Sequence, residues 1–337
     1  MFNEDSRVKI PAILHLCRLG YTYIPKSKQD RLEENNIFPD IFKRSISRIN
    51  PQISEEEIQR LLTDVSLKLN YDDLGREFFR SLVNSSGTKL IDFENFNNNE
   101  FHVTTELTCK KGDEEFRPDI TVLINGMPLV FIEVKKPNNR EGVIAERNRI
   151  NKRFALKDFR AFTNVTQLML FSNNMEYEDG VIEPIMGAYY ATPSKDGVMF
   201  NYFREEELLN YTNLLKPENE ELENLVLKDN NIVAIKYTDE FKLNKNYETP
   251  TNRIITSLLS KERLAFFLQF GITYVERTNR EGKIVIEKHI MRYPQFFASK
   301  AITHKLDEGI KKGIIWHTQG SGKTALAYYN VKYLSHY

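Results

Sequence analysis

Residues 117–137, RPDITVLINGMPLVFIEVKKP, set the architecture of the chain. Two β-rich runs, DITVLI and LVFIEVK, flank Asn125-Gly126, a dipeptide that favours a tight hairpin because both residues tolerate positive φ. Glu133 and Lys135 stand two apart on the second run, so a strand projects both from one face while Val134 turns into the core. Asp119, after Pro118, heads the first run. Its register is critical: side-chain direction reverses at every residue, so a two-residue turn with unbroken pairing would send Asp119 and Glu133 to opposite faces. The expectation is therefore a three-residue loop with Gly126 as a left-handed bulge residue, or an equivalent bulge elsewhere in the pair.

Two carboxylates and an ammonium meeting on one face suit phosphodiester hydrolysis, which needs a hard cation on oxygen ligands to activate water and neutralise charge. Asp119, Glu133 and Lys135 are the catalytic candidates, with Asp119 and Glu133 as ligands of Mg²⁺. Lys135 would orient or help deprotonate the attacking water and balance the charge developing at phosphorus. Acid, then acid and lysine on the neighbouring strand, resembles the PD-(D/E)xK nuclease arrangement. The plainer reading, a solvated acid and lysine on an ordinary hairpin, loses ground to the flanking pattern of helix, strands, helix and buried strand.

Upstream, residues 7–19, the stretch ISRINPQISEEEIQRLLTDVSLKL and YDDLGREFFRSLVNSSG carry helical patterns, the second with Glu55, Glu56 and Glu57 in its first turn. FHVTTELT opens the strands. Downstream, about Glu141 to Phe162 reads as one helix, QLMLFSN as a buried strand and MGAYYAT as a further strand. KPENEELENL and KLNKNYETPTN read as surface connections, and a domain break is placed near residue 241. IITSLLSKERLAFFLQF and RYPQFFASKAITHKL then read as helices. The chain thus divides into residues 1–240, helical front and nuclease-like unit with a catalytic core at about 72–175, and residues 241–337, a second unit whose character rests on the motif near its end.

On the helix after the hairpin, Arg149, Arg153, Lys157 and Arg160 recur at helical spacing and could track a double-stranded DNA backbone, although a solvated face explains the same spacing. Near the end, Gly320-Ser321-Gly322-Lys323-Thr324 follows an apolar run, Gly313 to Trp316, read as a strand, and opens a helix. In that context freed backbone N–H groups cradle the phosphates of ATP, Lys323 reaches the β/γ-phosphates and Thr324 the Mg²⁺. His317 replaces the glycine of the strict pattern, as helicase-type motors allow, and Arg292 and Gln295 stand where such motors often place an adenine-recognising glutamine.

Lys+Arg 47 against Asp+Glu 47 gives no net field to attract nucleic acid, so local patches must do so. Cys17 and Cys109, far apart, match no zinc or disulfide framework and suit a reducing compartment. No apolar run approaches the roughly 20 residues of a membrane span, and the front lacks a signal pattern, so a cytoplasmic protein is expected.

RPDI with NGMPLVFIEVKKP, together with RYPQFFASKAI and GIIWHTQGSGKT, is similar to the signature stretches of type I restriction endonuclease R subunits, with LGYTYIP and SRINPQISEEEI resembling the family's front. The resemblance implies an α/β chain: a PD-(D/E)xK restriction-endonuclease-like domain with N-terminal helices, then the beginning of a RecA-like P-loop motor. It implies that Asp119, Glu133 and Lys135 are the family's catalytic residues, and that the whole enzyme couples ATP-driven translocation to cleavage remote from its recognition site, with modification and specificity subunits as partners. Ending one helix past the loop, the chain is expected to lack ATPase activity and to cleave DNA weakly or not at all. Many members carry Gln-x-x-x-Tyr on the helix after the hairpin. This chain reads ERNRINKRFALKDF there, with Phe154 near the tyrosine's position. Glu77 is a further metal-contact candidate. Two other functions fit parts of the pattern: an ATP-binding DNA motor whose nuclease-like unit is a clamp or docking scaffold, and a stand-alone repair nuclease.

Overall fold

The computed structural model describes residues 4–337 except 112–113, 138–141, 178–185, 196, 279–281, 317–319 and 321. Its strands are β1 (Thr22–Tyr23), β2 (Phe101–Thr105), β3 (Cys109–Lys111), β4 (Glu114–Phe116), β5 (Ile120–Ile124), β6 (Met127–Val134), β7 (Leu168–Ser172), β8 (Ala188–Ala191), β9 (Asn201–Tyr202), β10 (Ile272–Thr278) and β11 (Ile284–Ile290). Seven form one mixed sheet in the order β1-β2-β5-β6-β7-β8-β9, while β3 with β4 and β10 with β11 make separate ribbons. β5 and β6 pair antiparallel through their short turn, whereas β6 and β7 are parallel and need a crossover, which helices provide.

The helices before the hairpin are α1 (Ile10–Arg18), α2 (Pro39–Ile49), α3 (Glu55–Lys68) and α4 (Arg76–Leu82); α5 (Gly142–Ala155) and α6 (Arg160–Val165) make the crossover. Behind the sheet come α7 (Tyr211–Leu214), α8 (Glu220–Asp229), α9 (Asp239–Asn244), α10 (Pro250–Leu259), α11 (Lys261–Phe266), α12 (Tyr293–Asp307) and α13 (Lys323–His336). α3 starts where its sequence says it should. Ser54 Oγ accepts from the Glu57 N–H at 3.3 Å and Glu57 returns a carboxylate oxygen to the Ser54 N–H at 2.9 Å, a reciprocal cap.

Several expectations change. The acidic stretch taken as a connection folds into α8, because Asn219 caps it and Val226 and Leu227 are buried. The single helix expected over residues 254–270 is two, α10 and α11, meeting at Ser260, whose extended ψ of 141° interrupts the helical path. The β10–β11 ribbon was not anticipated. It is tied to the sheet by the buried Lys288, whose ammonium donates to Thr166 O at 2.9 Å and Gln167 Oε1 at 2.8 Å.

β5 and β6 are buried along their whole length, as the apolar runs require of a central pair. One face, with Ile120, Val122, Val130, Ile132 and Val134, packs into the large core beneath the N-terminal helices; the other, with Phe131 and Phe171, packs beneath Val143, Ile150 and Phe154 of α5. Alternation puts Glu133 on the Phe131 face, under α5, and Val134 in the large core as expected. Among the described residues no helix is long and apolar enough to cross a membrane.

Candidate active site

The hairpin turn has two residues, not three. Asn125 and Gly126 both take positive φ, 50° and 78°, the mirror-image turn that matches strand twist. Asn125 is locked there: its amide donates to Leu90 O (2.9 Å) and Asn99 Oδ1 (2.7 Å), and its Oδ1 accepts from the Glu100 N–H (2.8 Å). The bulge lies farther along. Leu123 pairs with Pro128, but Val122 pairs with Val130, leaving Leu129 as the extra residue. Pro128, which has no N–H to donate, suits an interrupted ladder. Beyond the bulge Ile120 faces Ile132, and the register carried one step on sets Asp119 across from Glu133. The expected Gly126 bulge is thus replaced by its stated equivalent.

The three side chains meet. Lys135 Nζ lies 3.0 Å from Glu133 Oε1 and 3.8 Å from Asp119 Oδ2, and donates to Val134 O at 2.9 Å. Asp119 Oδ2 accepts from the Val134 N–H at 2.8 Å, and the Lys135 N–H donates to Ser172 O at 2.8 Å, which anchors the lysine to β7. Burial pushes the Glu133 carboxyl well above the usual range; neighbouring Asp119 adds to this, and Lys135 opposes it. Burial also raises Asp119, against Lys135 and the Val134 N–H. For Lys135, burial would lower the pKa, but Glu133, Asp119 and Glu146 outweigh it and hold the ammonium protonated.

Glu133 Oε2 is buried and accepts no hydrogen bond from the described residues. A buried carboxylate oxygen without a donor beside a second carboxylate is the chemistry of a divalent-cation site, and the donor set fits Mg²⁺. Among the described residues no group of three or more His, Cys, Asp or Glu side chains is arranged to hold a metal. Two carboxylates remain compatible with Mg²⁺, which commonly keeps several waters and uses one or two protein carboxylates.

Two acids escaped the sequence reading. Glu146, on α5, has a side chain only 3% accessible, with Oε2 3.8 Å from Lys135 Nζ. Val143 and Ile150, three residues before and four after it on α5, are both buried, and that spacing was the signal that Glu146 faces inward. Glu4, on the N-terminal helical turn, is raised by burial, with Lys135 and Asp119 next among the influences on it. Only tertiary packing brings it here. Glu77 is elsewhere engaged, 2.6 Å from Arg80 and 3.7 Å from Arg76.

The basic stripe does not share one helix face. Leu156 takes extended backbone, φ −86° and ψ 131°, so α5 ends, Lys157 falls in a short 3₁₀ turn and Arg160 opens α6. The break lets Phe162 join Phe116, Phe131 and Phe154, with ring centroids 5.2, 5.4 and 6.1 Å away. Arg149 and Arg153 stay on α5, pairing with Glu146 at 3.1 and 3.2 Å, while Arg160 turns to Asn70 O (3.3 Å) and Asp72 (3.9 Å).

At the other motif, Gly320 and Gly322 take φ of 79° and 82° and Lys323 and Thr324 open α13 at the surface. Gln295, 3% exposed, donates to Gly322 O at 3.1 Å and accepts from the Arg292 N–H at 2.9 Å; Arg292 Nη2 reaches Gly320 O at 3.4 Å. His317 and Ser321 lie outside the described residues. The strand expected at Gly313–Trp316 is not formed. Ile314 and Trp316 are each 91% exposed, and no described strand lies beside them to complete a ladder.

Residues 1–178 match the family model described as the type I restriction enzyme R protein N terminus, and residues 294–336 match that of the SWI2/SNF2 ATPase. A putative type I restriction enzyme MjaIXP endonuclease subunit of Methanocaldococcus jannaschii is 24% identical over 96% of this chain and 30% of its own length. The type I restriction enzyme HindI endonuclease subunit of Haemophilus influenzae is 22% identical over 89% and 26% respectively. A Staphylococcus aureus subunit, SauMSSORF170P, is 24% identical over 91% and 26%. The chain therefore spans less than a third of the length of these curated relatives.

Proposed function

The chain belongs to the type I restriction enzyme R protein N-terminus family, and from that premise we propose that its central hairpin is the Mg²⁺-dependent DNA-cleaving centre of a type I restriction endonuclease. The observation that supports this most is the Leu129 bulge, which turns Asp119, Glu133 and Lys135 to one buried point. Asp119 and Glu133 would hold the cation, which when bound supplies an activated water and charge neutralisation at the phosphodiester. The rest falls to the chain's own groups. Lys135, fixed by its N–H to β7 and by three carboxylates around its ammonium, presents a compact positive charge where negative charge grows at phosphorus. The packed face of the sheet shields the Glu133 carboxylate, 7% accessible, from bulk water, which strengthens its interactions, while Asp119 keeps an edge toward solvent.

In the whole R subunit, residues 241–337 would open a RecA-like motor in which Gly320, Ser321, Gly322, Lys323 and Thr324 hold ATP phosphates beside Gln295. Translocation by that motor, with modification and specificity subunits as partners, would precede cleavage remote from the recognised sequence.

Glu133→Ala and Lys135→Ala in the full-length R subunit, assembled with its partners, should each lower DNA cleavage by about 10²-fold or more while translocation continues. Calorimetric titration with Mg²⁺ should lose its binding signal in Asp119→Ala/Glu133→Ala. Cleavage at the parent rate in either single variant would overturn the site and favour the clamp or docking role for the nuclease-like unit.

A further inference from the structure

The cluster around Lys135 extends beyond the three residues of the motif. Glu146 is almost fully buried, yet it meets three cations: Lys135 Nζ at 3.8 Å and Arg149 Nη1 at 3.1 Å from Oε2, and Arg153 Nη1 at 3.2 Å from Oε1. Lys135 in turn lies within 4 Å of three carboxylates, those of Asp119, Glu133 and Glu146. Three acids and three bases are linked by these ion pairs, so the buried Glu146 carboxylate is compensated, as burial demands.

The two arginines differ from the lysine in exposure. Arg149 has 63% of its side chain accessible and Arg153, over the Phe116 ring at 4.0 Å, has 24%, against 16% for Lys135. Their guanidinium groups span the distance from a buried acid to the protein surface. Arg149, the exposed arm of the set, is the more loosely held of the two, and guanidinium and phosphate form strong, two-pronged, charge-assisted bonds. A phosphodiester arriving beside α5 would meet Arg149 first and Arg153 next, while Lys135 stays within 3.8 Å to balance the buried Glu146 carboxylate.

We propose that Glu146 is a positioning residue for Lys135 and the resting partner of a two-arginine phosphate clamp: Arg149 and Arg153, paired with Glu146 before DNA arrives, turn to the backbone phosphates of a bound duplex and leave the Glu146 carboxylate to Lys135. This rests on the nuclease reading of the hairpin. It narrows the DNA contact from a four-residue stripe to two arginines, since Lys157 lies past the end of α5 and Arg160 is held by Asn70 and Asp72. It also gives Glu146 a part separate from metal binding.

Duplex binding by the 337-residue chain without divalent ions, and cleavage by the R subunit with its partner subunits, test the two halves. In Arg149→Gln/Arg153→Gln the slope of log affinity against log salt should flatten by about 2, one counterion per lost phosphate contact, and KM for DNA should rise more than kcat falls. Glu146→Gln, which frees both arginines, should bind the duplex as tightly as the parent or more so, while kcat drops at least tenfold. Glu146→Asp, keeping the charge, should recover part of that loss and serves as the second variant where melting shows Glu146→Gln unfolded. An unchanged salt slope in the double arginine variant, weaker duplex binding by folded Glu146→Gln, or parent-level kcat in it would each overturn the proposal. Glu133→Ala separates the failures: if it abolishes cleavage and Glu146→Gln does not, only the positioning role falls; if it cleaves normally, the nuclease reading falls first.

Discussion

The hairpin turn at Asn125-Gly126 and the glycine loop at 320–324 are both short glycine-bearing motifs, yet the structure treats them differently. A Cβ on Gly126 would come 2.7 Å from Phe38 O and 2.8 Å from Phe42 N, both backbone atoms, whereas one on Gly320 would meet nothing within 4 Å. The hairpin is wedged against α2 and flanked by strands on both sides; the run before the loop, Gly313–Trp316, lies exposed with no strand beside it. A motif legible in ten residues becomes a seated site only where partners far along the chain close around it. The hairpin has them among the described residues, and the loop has chiefly Arg292 and Gln295 at the start of the one helix α12.

That contrast can be broken by substitution. Gly126→Ala combines left-handed backbone with a backbone collision and should destabilise the chain by about 3 kcal/mol or more in chemical denaturation. A loss below about 1 kcal/mol would show that the wedge is not tight. Next in size is a pH effect beneath the sheet. His15 on α1 is buried against Thr256, its Nε2 2.7 Å from Oγ1, and burial with Arg18 nearby lowers its pKa from 6.5 to about 3. Between those values the unfolded chain binds a proton that the folded chain refuses, so this stability is present above pH 6.5 and is lost as pH falls toward 3. From pH 6.5 to 5 the loss should be on the order of 2 kcal/mol, and His15→Gln should flatten that slope. At the loop, Gly320→Ala meets only the left-handed backbone penalty, about 1 kcal/mol. Smallest of all, Trp316→Ser should change stability by less than about 0.5 kcal/mol, since the indole is in solvent; a larger drop in the melting midpoint would mean the run packs after all.

Much of the hairpin-bearing sheet was legible because its patterns are local. β-rich runs marked β2, β5 and β6, a compact apolar run marked β7, and Glu55, Glu56 and Glu57 marked the first turn of α3. The requirement for a bulge was itself legible, since parity alone forbids Asp119 and Glu133 from sharing a face across a regular two-residue turn. Where the extra residue would go was not: Asn125 is pinned by Leu90, Asn99 and Glu100, residues 25 or more positions away, and these hold the turn at two residues so that Leu129 bulges instead. The break after α5 was equally hidden, because helical periodicity continues through Lys157 while the aromatic cluster around Phe162 lies across the sheet.

By itself the sequence determined which residue types could do the chemistry and which strand face Glu133 and Lys135 must share, because side-chain direction along a strand depends only on position. Tertiary structure alone decided that Asp119 joins them, that Glu146 comes within 3.8 Å of the same ammonium, and that Arg149 and Arg153 part company from Lys157 and Arg160. Those outcomes depend on bulges, helix breaks and burial, which are settled by contacts between segments far apart in the chain and leave no periodic trace within any one of them.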